Sequence, residues 1–256
     1  MLTMAPLSPN TPRRAFLDIR IGDPAARAEE EEAHARAVAF VREKAGELGL
    51  DPATPVAELE DWQKEMVSDL YAADPAWSAK GKIQLDPLAA PRGGRLIFEL
   101  DIESCPKATA NFASLCTGAA GYSKHAKTKP LYFKNTPLHR IIRNYIAQGG
   151  DITRGDGSGG DSIYSGAFKD EPAGLKTGFA RGRGVLAMAN SGKHSNTSQW
   201  FVTLTDDKTQ LKKMEGKYVV FGHLIEGLDV LDELNAVGSE SGTPTEQVQV
   251  WDCGVL

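Results

Sequence analysis

Arg140 is the residue whose surroundings say most about chemistry. It lies in the apolar stretch 138–154, LHRIIRNYIAQGGDITR. Read as a strand, His139, Ile141 and Arg143 fall on one face and Leu138, Arg140 and Ile142 on the other. A guanidinium is costly to bury without a partner. Arg140 is therefore either an ion pair at the end of a sheet or a fixed positive charge aimed at a ligand. Gln148 follows, just ahead of Gly149 and Gly150. A second stretch, 182–201 (GRGVLAMANSGKHSNTSQWF), runs from an apolar strand into Asn190, through a polar loop, and on to Gln199, Trp200 and Phe201. Asn and Gln offer neutral donors and acceptors, which suit a groove for peptide backbone better than acid–base work. Between the two lies GDGSGGDSIY at 155–164. Ser158 between glycines superficially resembles a hydrolase nucleophile. Gly157 separates it from Asp156, and no partner motif for a base is recognisable, so a glycine-rich turn is expected. No paired carboxylates and no phosphate-binding glycine loop accompany these segments. One arginine, neutral amides and aromatics suit a reaction without a nucleophile or proton transfer.

These residues need a frame that brings distant segments together. Residues 14–20 and 95–101 alternate apolar and polar, as strands do. Later strands are clearest at 217–222 and 247–252, and Gly-rich turns separate many short ones, a spacing that suggests a closed or nearly closed barrel. A short helix is expected at 106–115.

Residues 23–92 break the pattern. They carry 15 acidic and 8 basic side chains, although the whole chain has a net charge of only −5. Ala37, Phe40, Val41, Lys44 and Leu48 recur at helical spacing, with Glu29–Glu32 in the early part. Thr54 and Pro55 read as an N-cap and first turn, followed by the stripe Val56, Leu59, Met66 and Leu70. The block thus reads as an acidic αα-hairpin inserted between two strands that would otherwise pair, with an irregular segment over 74–93. Its acidic face could dock a basic protein partner; the alternative is a passive decoration packed on the barrel wall through that stripe.

The acidic balance argues against broad capture of nucleic acid. No apolar run reaches the roughly 18 residues of a membrane span. Residues 1–13, read as an N-terminal extension, lack the apolar core of a secretory signal. Cys105, Cys116 and Cys253 are too few for a disulfide scaffold, and the dispersed histidines give no metal spacing. A reducing, cytoplasmic setting is the expectation, with the nucleus left open.

Four segments in order, GRLIFELDIESCPKATANFASLCTG, LHRIIRNYIAQGGDITRGDGSGGDSIY, GVLAMANSGKHSNTSQWFVT and GKYVVFGHLIEGLDVLDEL, closely resemble the cyclophilins, peptidyl-prolyl cis–trans isomerases. The resemblance covers 14–22 and 93–256. It implies a mostly β fold: an eight-stranded antiparallel β-barrel capped by two helices, at about 106–115 and 227–235, here with the αα-hairpin between the first two strands. A single isomerase domain over 14–256, with 23–92 inserted in it, follows. It also implies rotation about X–Pro bonds in proteins, proline-containing peptides as substrates, and no cofactor or metal. Arg140 matches the catalytic arginine, with Gln148 and Asn190 beside it. Tyr145, Ile146, Ala189, Ser191, Gln199, Phe201 and Tyr218 match the substrate groove, Phe201 flooring the proline pocket. Either Leu211 or Met214 could supply the apolar wall. The alternative is a groove that binds proline peptides without turnover.

Departures from the pattern fall on the rim. DDKTQLKKMEGKYVVF is about five residues longer than in many cyclophilins and lacks their Trp, which implies weakened binding of cyclosporin. Tyr218 stands in place of His. Another three or four residues are added near 178–184. SKHAKTKPLYFKNTPLHR resembles the loop of the divergent-loop subgroup, in which Cys116 and Cys253 would match a redox-linked pair and Glu171 the acid that contacts the loop. Two inert buried thiols are the alternative.

Overall fold

The computed structural model describes residues 12–176 and 178–256. The extension at 1–13 falls almost wholly outside them. In chain order the elements are β1 (Arg14–Ile21), α1 (Pro24–Leu48), α2 (Asp61–Ala73), α3 (Pro75–Ser78), β2 (Arg92–Leu100), α4 (Pro106–Thr117), β3 (Arg140–Ile142) and β4 (Ile146–Gly149). They continue with α5 (Pro172–Lys176), β5 (Val185–Met188), β6 (Trp200–Thr203), α6 (Lys208–Met214), β7 (Val220–Glu226), α7 (Leu228–Ala236) and β8 (Val248–Val255). Two compact units result: residues 23–91, and the remainder.

In the larger unit the eight strands form one antiparallel sheet in the order β3-β4-β6-β5-β7-β2-β1-β8. The stretch entering β3 bonds back to β8 and carries the sheet round. Asn135 N–H donates to Val250 O at 2.7 Å, Val250 N–H to Thr136 O at 2.9 Å, and Leu138 N–H to Val248 O at 2.8 Å. Alternation along each strand then separates an interior from an exterior. Ile141, Ala147, Val202 and Leu186 point into the main core with Leu17, Phe98, Phe112 and Phe221. The expected α4 and α7 are present, each a residue or two displaced. The alternation expected through 138–142 fails at its start. Leu138 lies in the core with Ile141, because the strand begins only at Arg140.

The smaller unit has a core of its own. Asp23 caps α1 by accepting from Ala25 N–H, and Gly49, at φ 64°, ends it. Ala37, Phe40, Val41 and Leu48 are buried as expected. Lys44 is not part of the stripe: Ala45 takes the core position, and Lys44 pairs with Glu47 and Asp74. Nor do Thr54 and Pro55 open the second helix. They lead into a single 3-10 turn, Val56–Glu58, whose three-residue period buries both Val56 and Leu59. The helix starts afresh at Asp61, where Gln63 Oε1 accepts from Glu60 N–H at 2.9 Å. Its buried positions are Val67 and Tyr71, with Met66 and Leu70 only partly covered. The stripe joins this unit's own core, around a trio of Phe40, Tyr71 and Trp77 with centroids 5.0 to 6.4 Å apart. The segment over 74–93 is ordered by α3 and by Gln84 N–H donating to Ala33 O on α1.

Candidate functional site

Pairing register alone assembles the site. Arg140 stands opposite Gln148, Gln148 opposite Phe201, Phe201 opposite Ala187, and Ala187 opposite Val220. Directly paired residues in antiparallel strands share a face. One row across five strands therefore puts the arginine, the amide and the phenyl ring on the outer surface of the sheet.

Arg140 is exposed and carries no ion pair among the described residues. Its Nη1 lies 3.5 Å from Gln148 Oε1, a marginal contact. Gln148 Nε2 donates to Gln199 Oε1 at 2.9 Å. Gln199 Nε2 in turn donates to Gly157 O at 2.8 Å and Gly159 O at 2.7 Å. A chain of amides thus links the arginine to the glycine turn. That turn is built on the buried carboxylate of Asp151, which accepts from the N–H groups of Thr153, Arg154, Gly157 and Gly159. Burial pushes this carboxyl up, but the bonds outweigh it and hold its pKa at about 2. Gly157 lies flat on His139, where a Cβ would come within 2.7 Å of the ring. Burial lowers the His139 pKa. Ser158 donates to Asp156 Oδ1 at 2.6 Å and receives from Arg154 Nη1, so its hydroxyl serves the turn.

To one side, Gln148, Gly157, Ala189, Asn190, Ser191 and Gln199 line a polar recess of about 210 Å³. Ala189 N–H donates to Gln199 O. The Asn190 side chain is engaged internally, donating to Lys217 O at 2.8 Å and accepting from Gly192 N–H. Ser191 is exposed, its N–H held by Ser195 Oγ.

Ala189 also belongs to the apolar cluster beyond. Phe201 and Ile146 form its floor, with Tyr145 and Tyr218 packed at its edge. Leu211 and Met214 are both buried in the cluster, so α6 supplies two wall residues where one was expected. The Tyr218 ring stands edge-on to Phe201 at 5.1 Å, and Phe201 is only 2% exposed. Phe179, from the lengthened 178–184 segment, stacks parallel to Phe201 at 6.3 Å. Sequence reasoning marked that segment as longer but passed over its aromatic, the one bulky apolar side chain between flanking glycines. The segment is braced to the other lengthened loop, since Arg183 N–H donates to Asp206 Oδ1 at 2.9 Å.

Two further expectations come from the divergent-loop resemblance of residues 123–140. Glu171 does not contact that loop. Its carboxylate accepts from Lys107 and Ala108 N–H at 2.8 and 2.9 Å and caps α4, which has no side-chain cap of its own. Two other acids reach it: Asp161 accepts from Ser123 Oγ at 2.5 Å, and Asp252 pairs with Lys134 at 2.9 Å. Cys116 and Cys253 are free thiols, both buried. Burial, and then the neighbouring Cys253, push the Cys116 thiol well up.

The family model for the cyclophilin type peptidyl-prolyl cis-trans isomerase/CLD matches residues 88–255. The chain belongs to the cyclophilin-type peptidyl-prolyl isomerase family. The match leaves out residues 14–22, which include β1 of the same sheet.

Proposed function

We propose that this groove catalyses cis–trans isomerisation of X–Pro peptide bonds in protein substrates. The observation that carries the reading is the single row of Arg140, Gln148 and Phe201: an exposed guanidinium held one strand away from an amide and two from an apolar floor. The barrier to be lowered is that of amide resonance, about 18–20 kcal/mol. Rotation about C–N localises a lone pair on the proline nitrogen. A guanidinium beside that nitrogen stabilises the twisted state more than the planar one, and only such differential stabilisation accelerates a reaction. Phe201, Ile146, Tyr145, Leu211, Met214 and Tyr218 would hold the proline ring. Gln148, Ala189 and the backbone of Asn190 would hold the flanking chain, with Ser191 and Gln199 at the adjoining recess. No group beyond the side chains is required.

Exchange of an Ala-Pro peptide, followed by NMR exchange spectroscopy, tests this. Wild type should accelerate exchange, and Arg140→Ala should lose about tenfold or more, the scale of a removed electrostatic stabiliser. Binding without acceleration in either protein would instead support a recognition module. That second reading draws on the Tyr218 ring, which stands edge-on against a Phe201 that is only 2% exposed.

Four narrower proposals accompany this one. The missing Trp should weaken cyclosporin, measurable as a dissociation constant. The acidic face of residues 23–91, with Glu29–Glu32 all exposed, is suited to a basic partner, and its capture should fail at high salt. A cytoplasmic location, with the nucleus left open, can be checked by imaging a tagged chain. The buried thiols of Cys116 and Cys253 are neighbours, and their pairing on oxidation is the last proposal, which mass spectrometry of oxidised and reduced protein would reveal.

A further inference from the structure

The loop after α7, residues 239–243 (SESGT), lies along the edge of β3 that β4 leaves free. Ser239 N–H donates to Ile141 O at 3.1 Å, Ile141 N–H to Gly242 O at 2.8 Å, and Arg143 N–H to Ser239 O at 3.2 Å. Ser239 also fastens the loop to itself. Its Oγ accepts from Gly242 N–H at 3.1 Å and donates to Thr243 O at 2.7 Å. Gly242, at φ +90°, turns its bare Cα towards Arg140. A Cβ there would stand 3.1 Å from Arg140 Cγ, 3.4 Å from Arg140 Nε and 3.3 Å from Ile142 Cγ1. No carboxylate among the described residues steers this arginine, and its contact with Gln148 is long. The bare backbone of the loop at Gly242 thus stands close against its stem.

We propose that Gly242 is a positioning residue for Arg140. The 239–243 loop is a shelf that sets where the guanidinium stands over the groove. The proposal rests on the reading of Arg140 as the catalytic group. An added methyl displaces the stem by a few tenths of an ångström, and the distant guanidinium by more. Misplacing a reacting group by about 1 Å can cost about a hundredfold in rate.

Two variants test it, Gly242→Ala and Ser239→Ala, each by two readouts. The first is peptide exchange, separated into saturated rate and peptide dissociation constant. The second is the Nε–Hε resonance of Arg140 in labelled protein, with that of Arg95, ion-paired to Asp18, as reference. Gly242→Ala should cut the saturated rate by about tenfold, leave the dissociation constant within about twofold, and move the Arg140 resonance alone. Ser239→Ala keeps the glycine and loosens its anchor, so it should shift the same two quantities less. Because φ +90° strains any residue other than glycine, Gly242→Ala could lose stability; Ser239→Ala then decides. A folded variant with a wild-type rate and an unmoved Arg140 resonance overturns the shelf. If wild type does not accelerate exchange, or Arg140→Ala matches it, the isomerase reading fails. The resonance then still reports whether Gly242 sets the arginine's position.

Discussion

At the scale of single residues, the groove depends on a buried acid that does no chemistry. Asp151 is 1% exposed and takes five hydrogen bonds, two of them from Gly157 and Gly159, whose carbonyls then receive Gln199. Its folded pKa of about 2 lies below the ordinary 3.8. A depressed carboxylate adds stability that is complete above the unfolded value and disappears as pH falls through the folded one. The contribution, about 2 kcal/mol, should therefore be lost between about pH 4 and pH 2. Asp151→Asn keeps one acceptor oxygen and replaces the other with a donor facing two N–H groups. It should cost about 2 kcal/mol or more at neutral pH and flatten that part of the acid limb. Urea unfolding of both proteins over a pH series measures both effects. An unchanged acid limb in the variant would mean another carboxylate carries it.

At the scale of elements, α4 is set by a residue far away in sequence. Pro106 suits its first turn, but Cys105 supplies no cap, and Glu171 bonds the orphan N–H groups of Lys107 and Ala108 instead. Burial raises the Glu171 pKa, and these two bonds oppose the rise. Glu171→Ala would strand both donors and should cost about 2 kcal/mol, while Glu171→Gln, keeping one acceptor, should cost about half as much. Thermal unfolding of the pair reads the difference; equal losses would mean the space Glu171 fills matters more than its oxygens. The same element shows what a sequence can and cannot display. The boundaries of α4, β1 and β8 follow from local periodicity and were legible to within a few residues, whereas α7 was placed through the family resemblance. β3 to β6 are three or four residues long and are defined by their partners. The residues themselves marked Arg140, Gln148, Gln199 and Phe201 and an apolar strand ahead of Asn190, but the roles of these residues and the count of strands came through the family resemblance. Phe179, Asp161 and Gly242 escaped because each acts through a contact made in space, in loops without a period of their own.

At the scale of the whole chain, the acidic block interrupts a hairpin that is otherwise complete. Ile21 and Arg92 are paired partners, and the ladder continues from them to Arg14 and Glu99. The Ile21–Arg92 end is fixed by the segment that enters β8 and by α7. Gly22 N–H donates to Gln247 O, Gly93 N–H to Glu233 Oε2 at 2.9 Å, and Arg92 pairs with Glu246 at 2.7 Å. None of these bonds uses a residue of 23–91. That unit meanwhile buries its apolar side chains in a cluster drawn wholly from its own helices and turns. Replacing residues 23–91 with one asparagine leaves Ile21–Gly22–Asn–Arg92. Glycine at the first central position is what a type II′ hairpin turn requires, and Gly22 already has φ +115°. The shortened chain should fold, because removing a loop this long also lowers the entropic cost of closing the hairpin, by about 3 kcal/mol at logarithmic scaling. Its exchange rate on a short peptide should stay within about threefold of wild type, since every residue of the Arg140–Gln148–Phe201 row lies outside the deletion. A folded deletion protein with the rate reduced about tenfold would give the acidic unit a part in the reaction itself. Retained peptide exchange, with slower action on a basic protein substrate, would make it a device for recruitment.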